Sequence, residues 1–563
     1  MTPGSIFPVS QAKIKVGAFL FSLVVIFSLV LAACGGGAQS PQQATKTSVL
    51  TVGVQSSPIS KAGFNLYSSI AQTGVYDMAG FIYEPLYYVN LSDATQTTPL
   101  LATSYQWNSD NTQLTFHLRQ GVRWNDGQPF SSDDVVFTFN TLKQYPAADS
   151  GGVWGYLSDV TAPDASTVVM SFPRPYVPSF YNIATQTPII PKHIFASVGD
   201  PTKFVNDHPV GTGPFMVSRY TDQVVVFKKN PNYWNASAIK VDQINLPYLK
   251  DNDAGLLALE QGQTDWAGFF SAGLKSAFLD KDPTHNHFWA AGVDEFGIFI
   301  NEQHNPLLAN PAVRKAVSAA IDRNALAQQG VAGLVPPLGP TGLVLPLAKD
   351  YLDPAYANAS MSADPTTAQK ILTDAGFTKG SDGIFMDKSG KRLSFGFRIV
   401  ATYSDWVAES QIIQQNLKAA GIEIKIDPIQ ESPYYSVRAN NDFDMEIGGL
   451  LGGPTPFYIY NEGLNSKNIG KTNFSRYNNP QVDQLLNQYA SSSDFNTQKQ
   501  IIMQIEKIFV DQQPWVPTLT APRWFEYTTT HFTGWPDQDN PYATGAPYAF
   551  PDNEIVVSHL TPA

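Results

Sequence analysis

Residues 394–427 constrain the fold more than any other stretch of this chain. Phe395, Phe397 and Ile399 alternate over 394–400, and Ile422, Ile424 and Ile426 alternate over 421–427. That is the period-two pattern of half-buried strands. Residues 404–420 between them read as a helix, with Ser404 as its cap and Gly421 free to take the left-handed position after the last turn. Strand, helix and strand within about 35 residues make a βαβ unit, so at least two strands are parallel and the layers are α/β.

Other elements are marked by chemistry at their ends. Asn310-Pro311, Asp364-Pro365 and Asn479-Pro480 each put a capping side chain before a proline suited to the first helical position. Ser131, Asp133 and Asp134 supply a cap and acidic first turn for a helix with Val135, Val136, Phe139 and Leu142 on one face. Strands are expected at 50–54, at 112–118 and at 168–172, the last stopped by Pro173 and Pro175. Helices become frequent beyond residue 300.

At 563 residues the chain has material for about three or four domain-sized masses. Charged residues are only 15% of the total and the net charge is -12, which excludes a disordered chain and a basic nucleic-acid binder. The single cysteine, Cys34, excludes a disulfide framework and any Cys-based metal site. Lys13 and Lys15 precede an apolar run over 16–30, followed by Leu31-Ala32-Ala33-Cys34-Gly35. This resembles a bacterial lipoprotein signal, which implies removal of residues 1–33, lipid on Cys34 and a flexible tether over 34–48. The alternative is an uncleaved N-terminal anchor. Either places the body outside the cytoplasmic membrane.

A second resemblance rests on ordered landmarks: YEPL at 83–86, FHLRQGVRWNDG at 116–127 with PFSSDDVVFT at 129–138, GTGPF at 211–215 and NPNYW at 230–234. NPAVRKA at 310–316, AIDR at 320–323 and FDM at 443–445 follow. Together they resemble the family 5 extracytoplasmic solute-binding proteins of ABC importers, from about residue 50 to 560. Arg314 and Arg323 read as partners of local carboxylates. The resemblance implies an α/β, two-lobed periplasmic-binding-protein-like fold (class II, cluster C). Lobe I would comprise 49–88, 212–298 and 521–563, with an extra subdomain inserted at 89–211. Lobe II would be 299–520, and the chain would cross between lobes near 296–301 and 518–525. Ligand would be held by lobe closure and passed unaltered to a permease and its ATPase.

In peptide-binding members the FDM segment is followed by Gly-Trp and an Asp that pairs with the ligand's α-ammonium. Here Leu450 takes the Trp position and Gly453 the Asp position, which puts α-amine capture there in doubt. The run Gly452-Gly453-Pro454-Thr455-Pro456, followed by Tyr458, is similar to cello-oligosaccharide-binding members. The ligand is therefore expected to be an oligosaccharide, with an oligopeptide as alternative. Expected ligand contacts are Phe64, Asn65, Trp266, Phe269, Phe270, Trp406, Leu450, Gly453, Thr455 and Tyr458. Trp124, Trp234, Trp515 and Trp524 are expected to pack.

A lipid-anchored hydrolase is the rival class, but no G-x-S-x-G, H-E-x-x-H or phosphate-loop motif occurs. His285-Asn286-His287 is a weak metal signal without a third ligand. No enzyme activity, cofactor, metal or nucleic-acid partner is expected, and a monomer is. Reporting to a membrane sensor instead of a permease stays open.

Overall fold

Three sheets organise the chain, and each is built by the alternation that the sequence displays. The computed structural model describes residues 47–55, 64–67 and 78–563. The signal, Cys34 and nearly all of the tether lie outside the described residues. A seven-stranded sheet centres on β1 (Val49–Gln55), which pairs in parallel with Gln243–Leu249 on one side and Trp266–Gly268 on the other. Leu50, Val52 and Val54 are buried in its core with Phe81 and Phe227. A four-stranded antiparallel sheet runs in the order Ala102–Trp107, Gln113–Leu118, Thr167–Ser171, Asp159–Asp164 and has its own core. Leu114, Phe116 and Leu118 supply its buried face, against Val135, Phe139 and Leu142 of the Ser132–Gln144 helix. That helix starts with a reciprocal capping box between Ser131 and Asp134.

The five-stranded sheet has the order Glu423–Ile429, Ser394–Val400, Met445–Leu450, Ala291–Ile300, Trp515–Arg523. Its first pair is the βαβ unit, parallel and in register at Phe395↔Ile424 and Phe397↔Ile426. Gly421 takes φ +82° after the crossover helix. At the other end of that helix Ser404 is not the cap. Ala401 prolongs the strand by donating to the Ile429 carbonyl (2.8 Å), so Tyr403 becomes the extended residue at the helix start and Ser404 the first helical one. Asn310, Asp364 and Asn479 do cap their helices, each before proline.

Arg323 corrects another expectation, which Arg314 meets through Glu302. Arg323 meets no carboxylate: it donates to the Pro517 and Ser318 carbonyls at 2.8 and 3.1 Å. Arg314 donates to the carbonyls of Leu308 and Gln512 and lies 3.3 Å from Glu302. The two buried guanidinium groups tie down carbonyls of helix ends, a strand and a loop.

The chain passes between the seven- and five-stranded sheets twice. Asn286–Phe288 and Glu526–Thr528 pair in the first sheet; β2 (Ala291–Ile300) and β3 (Trp515–Arg523) pair in the second. The changeovers are Trp289–Ala290 and Trp524–Phe525, joined by the Trp289 amide donating to the Phe525 carbonyl at 3.0 Å. Residues 296–300, expected to cross, lie instead inside β2. They are held on both edges, with Phe296 opposite Gly449 and Leu519, because pairing with β3 begins as early as Ala291.

Candidate ligand cleft

A cavity of about 390 Å³ opens between the two larger sheets beside these crossings. One wall is built by the end of β1, by Asn252 at the start of α1 (Asn252–Glu260), and by Gly268, Phe269 and Phe270 beyond the neighbouring strand. The facing wall is Phe296 of β2, the first turns of α2 (Ser404–Ala419), and Glu431 and Tyr435 of α3 (Glu431–Ala439). Strand β3 closes the back with Leu519 to Pro522, and Trp524 follows. The site thus sits beyond the carboxyl end of the parallel Ser394–Val400 strand, where the strand-to-helix turn leaves room for a ligand.

Its surfaces are aromatic. Phe270 and Trp524 lie 5.4 Å apart on one side, and Phe296 and Trp406 lie 5.4 Å apart on the other. Tyr403 meets Trp406 edge-on at 5.0 Å, and its hydroxyl donates to Glu431 at 2.6 Å. Asn252 donates to the Ser404 hydroxyl at 3.2 Å, a bond from one wall to the other. Glu526 accepts from the Phe269 amide at 3.3 Å and so fixes that ring's backbone. Burial pushes the Glu526 carboxyl up to about 8. Burial likewise pushes Asp405 up to about 6, against backbone N–H groups that favour its ionised form.

The expected site residues divide sharply. Phe269, Phe270 and Trp406 line the cavity. Trp266 does not: it is fully buried and its indole N–H donates to the Gly545 carbonyl at 2.7 Å. Phe64 is packed edge-on against Tyr220 in the same core, and Asn65 is spent holding its loop through the Pro201 carbonyl (2.8 Å) and the Tyr67 amide (3.0 Å). Leu450 is core, because the strand that carries it is central in its sheet. Gly453 makes room for the Tyr458 ring, whose hydroxyl donates to Pro178 at 2.7 Å, and Thr455 accepts from Tyr489 at 2.9 Å. These last three belong to a separate contact, away from the cavity lining.

Trp124 and Trp515 are packed, as the sequence suggests, and half-buried Trp234 lies under the Arg119 guanidinium at 3.6 Å. Trp524, also expected to pack, lines the cavity. Asn252, Phe296, Tyr403, Asp405, Glu409 and Glu431 went unread. The acids at 405 and 409 had a signal: they stand one helical turn apart around Trp406, just after a parallel strand. The His285–His287 stretch is accounted for by an Asp282 hydrogen bond (2.8 Å) and by stacking on Tyr527. Among the described residues no cluster of His, Cys, Asp and Glu is arranged to hold a metal, and no helix is long and apolar enough to cross a membrane. A wider hollow of about 670 Å³ beside Arg174 and Asn487 has no aromatic ring in its lining.

Two α/β lobes, crossed twice by the chain and enclosing an aromatic cavity, are the architecture of a receptor for a soluble ligand. The family described as bacterial extracellular solute-binding proteins, family 5 Middle, matches residues 96–471. This chain belongs to the family 5 bacterial extracellular solute-binding proteins, which act outside the cytoplasm. An oligopeptide-binding protein of Bacillus subtilis is 25% identical over 545 residues, covering 91% of this chain and 94% of its own. A periplasmic oligopeptide-binding protein of Thermotoga maritima, solved with mannohexaose bound, is 26% identical with a TM-score of 0.82, covering 92% of this chain and 99% of that one. A Bacillus subtilis oligopeptide-binding protein in complex with a nonapeptide has a TM-score of 0.77 at 20% identity over 92% of this chain and 99% of its own, a likeness of fold alone.

Proposed function

We propose that this protein is the receptor of an ABC importer and captures an oligosaccharide between its lobes without chemistry. The reading rests on one observation: the cavity offers aromatic faces from both walls and carboxyl and amide groups, and no Lys, Arg or His lines it. Sugar rings present C–H faces to aromatic rings and hydroxyls to such polar groups. A peptide's terminal carboxylate would find no cation in the lining, and burying it unpaired is costly. The mannohexaose bound to the Thermotoga maritima relative supports the saccharide. The peptide reading is favoured by the names of the relatives, oligopeptide-binding proteins among them.

In this reading Cys34 carries the lipid and the lobes close by rotation at Trp289–Ala290 and Trp524–Phe525. The separate sheets support lobe I from 49–88, 212–298 and 521–563, the insert at 89–211 and lobe II from 299–520, shifted at the first crossing. The protein works as a monomer with a permease and ATPase and needs no cofactor. A thermal-shift screen of cello- and manno-oligosaccharides against di- to pentapeptides tests it. A ligand at 100 times its Kd adds about 2.7 kcal/mol to stability. Stabilisation by peptides alone would overturn the saccharide assignment, and turnover of any ligand would overturn the receptor.

A further inference from the structure

We infer that Asp405 and Glu409 form a subsite for a protonated nitrogen on the ligand, an ammonium group standing on an otherwise neutral, ring-stacking molecule. The inference deepens the cleft reading above and rests on it. Both side chains belong to α2, four residues apart and therefore on one face, and both line the cavity. Glu409 is 1% exposed and its Oε2 has no hydrogen-bond partner. Its stem lies against Gly330, where a Cβ would come within 2.7 Å of the Glu409 Cγ. Only a glycine lets the carboxyl sit where it does.

For Glu409 the usual reasons for a buried acid are missing. A structural carboxylate is paired with a cation or saturated with donors. Arg523 meets that need for Asp294 (3.0 Å) and Asp552 (3.6 Å), whereas Glu295, Glu526 and Glu554 each keep one buried oxygen without a partner, as Glu409 does; Glu409 differs from those three in lining the cavity. No basic residue lines the cavity to neutralise Asp405 and Glu409. Backbone N–H groups at the start of α2 already serve Asp405, and Glu431 stands at the start of α3, so neither helix start serves Glu409. Glu431 is further engaged by the Tyr403 hydroxyl. The rings of Trp406, Tyr403, Tyr435 and Trp524 line the same cavity, and aromatic faces attract cations.

Without a cation the two acids avoid ionising together. Burial and then the neighbouring Asp405 hold Glu409 well above the usual carboxylate range. An ammonium group reverses that preference, so its binding expels a proton from the pair to solvent while the carboxylate takes the N–H bonds. A neutral sugar leaves the proton in place. The other titratable groups facing the cavity are Glu431 and the phenols of Tyr403, Tyr435 and Tyr548, and burial holds all three phenols neutral.

Calorimetry on the full chain in detergent tests this with matched oligomers: unsubstituted cello-oligosaccharide, its glucosamine counterpart, and the N-acetylated form. A lysine-containing tripeptide and its fully N-acetylated form separate an amino sugar from a peptide amine as the source of the nitrogen. The expected result is about tenfold or greater preference for an ammonium form over its acetylated partner, as for a charge-assisted hydrogen bond with added cation–π attraction. Binding enthalpy should vary with buffer ionisation heat, and affinity should rise from about pH 5 to about pH 7 as less proton has to be expelled. Glu409→Gln, and independently Asp405→Asn, should abolish the preference and the proton release. Equal binding of ammonium and acetylated forms, or a preference that survives both variants, overturns this inference alone. Failure of every saccharide and peptide to bind overturns the cleft reading beneath it.

Discussion

The two sides of the molecule touch in two ways, and the contrast separates a binding surface from a structural one. Beside Tyr458 the contact is made by direct hydrogen bonds and ring packing. Tyr458 donates to Pro178, the Val177 amide donates to Ala490 at 2.8 Å, Arg174 donates to Asn487 at 2.7 Å, and Tyr181 meets Tyr458 edge-on at 5.3 Å. At the cavity the same kinds of side chain enclose open volume, and one oxygen of the Glu409 carboxyl has no partner. Aromatic content does not distinguish the two places. An unpartnered carboxyl oxygen facing open volume does, since a surface built to receive something keeps groups that its own chain never satisfies.

The largest expected effect comes from removing a ring on the open side. Trp406→Ala should weaken ligand binding by about 2 kcal/mol or roughly 30-fold, as for a central aromatic anchor, read by calorimetry. An unchanged affinity would move Trp406 to the packing side of the comparison. The next effect is pH-dependent. The Glu526 carboxyl titrates higher folded than unfolded, so the folded state holds more protons and this group's contribution falls as pH rises from about 4.5 to about 8. Denaturation of Glu526→Gln over that window should show a shallower decline than the parent, and an identical slope would refute the assignment. The smallest effect belongs to the contact beside Tyr458. Tyr458→Phe should cost about 0.5–1.5 kcal/mol of stability, by the same amount at pH 5 and pH 8, because only the hydroxyl bond to Pro178 is lost. A loss that grows with pH would mean this contact is not free of the acids that mark the cavity.

Legibility followed the range of the interactions. The βαβ unit, the three Asn/Asp-Pro caps and the alternation at Leu114, Phe116 and Leu118 were readable, because each depends on neighbours within a few residues. The cleft was only half readable. Phe269, Phe270 and Trp406 could be singled out as large rings in the right loops, yet so could Phe64 and Trp266, which are core. What buries Trp266 is the Gly545 carbonyl and the Trp535 ring, far along the chain (5.6 Å between ring centres). In segment 448–458, Gly453 packs on the Tyr458 ring, and Tyr458 meets Pro178 and Tyr181, partners far along the chain that no local pattern reveals.

By itself, then, the amino-acid order settled the layering, the family and the exterior address, since periodicity, end-capping and a run of ordered landmarks are properties of adjacent residues. Tertiary structure alone decided which rings and acids share a cavity. That depends on how far each side chain's needs are met by partners hundreds of positions away, and no local pattern records it.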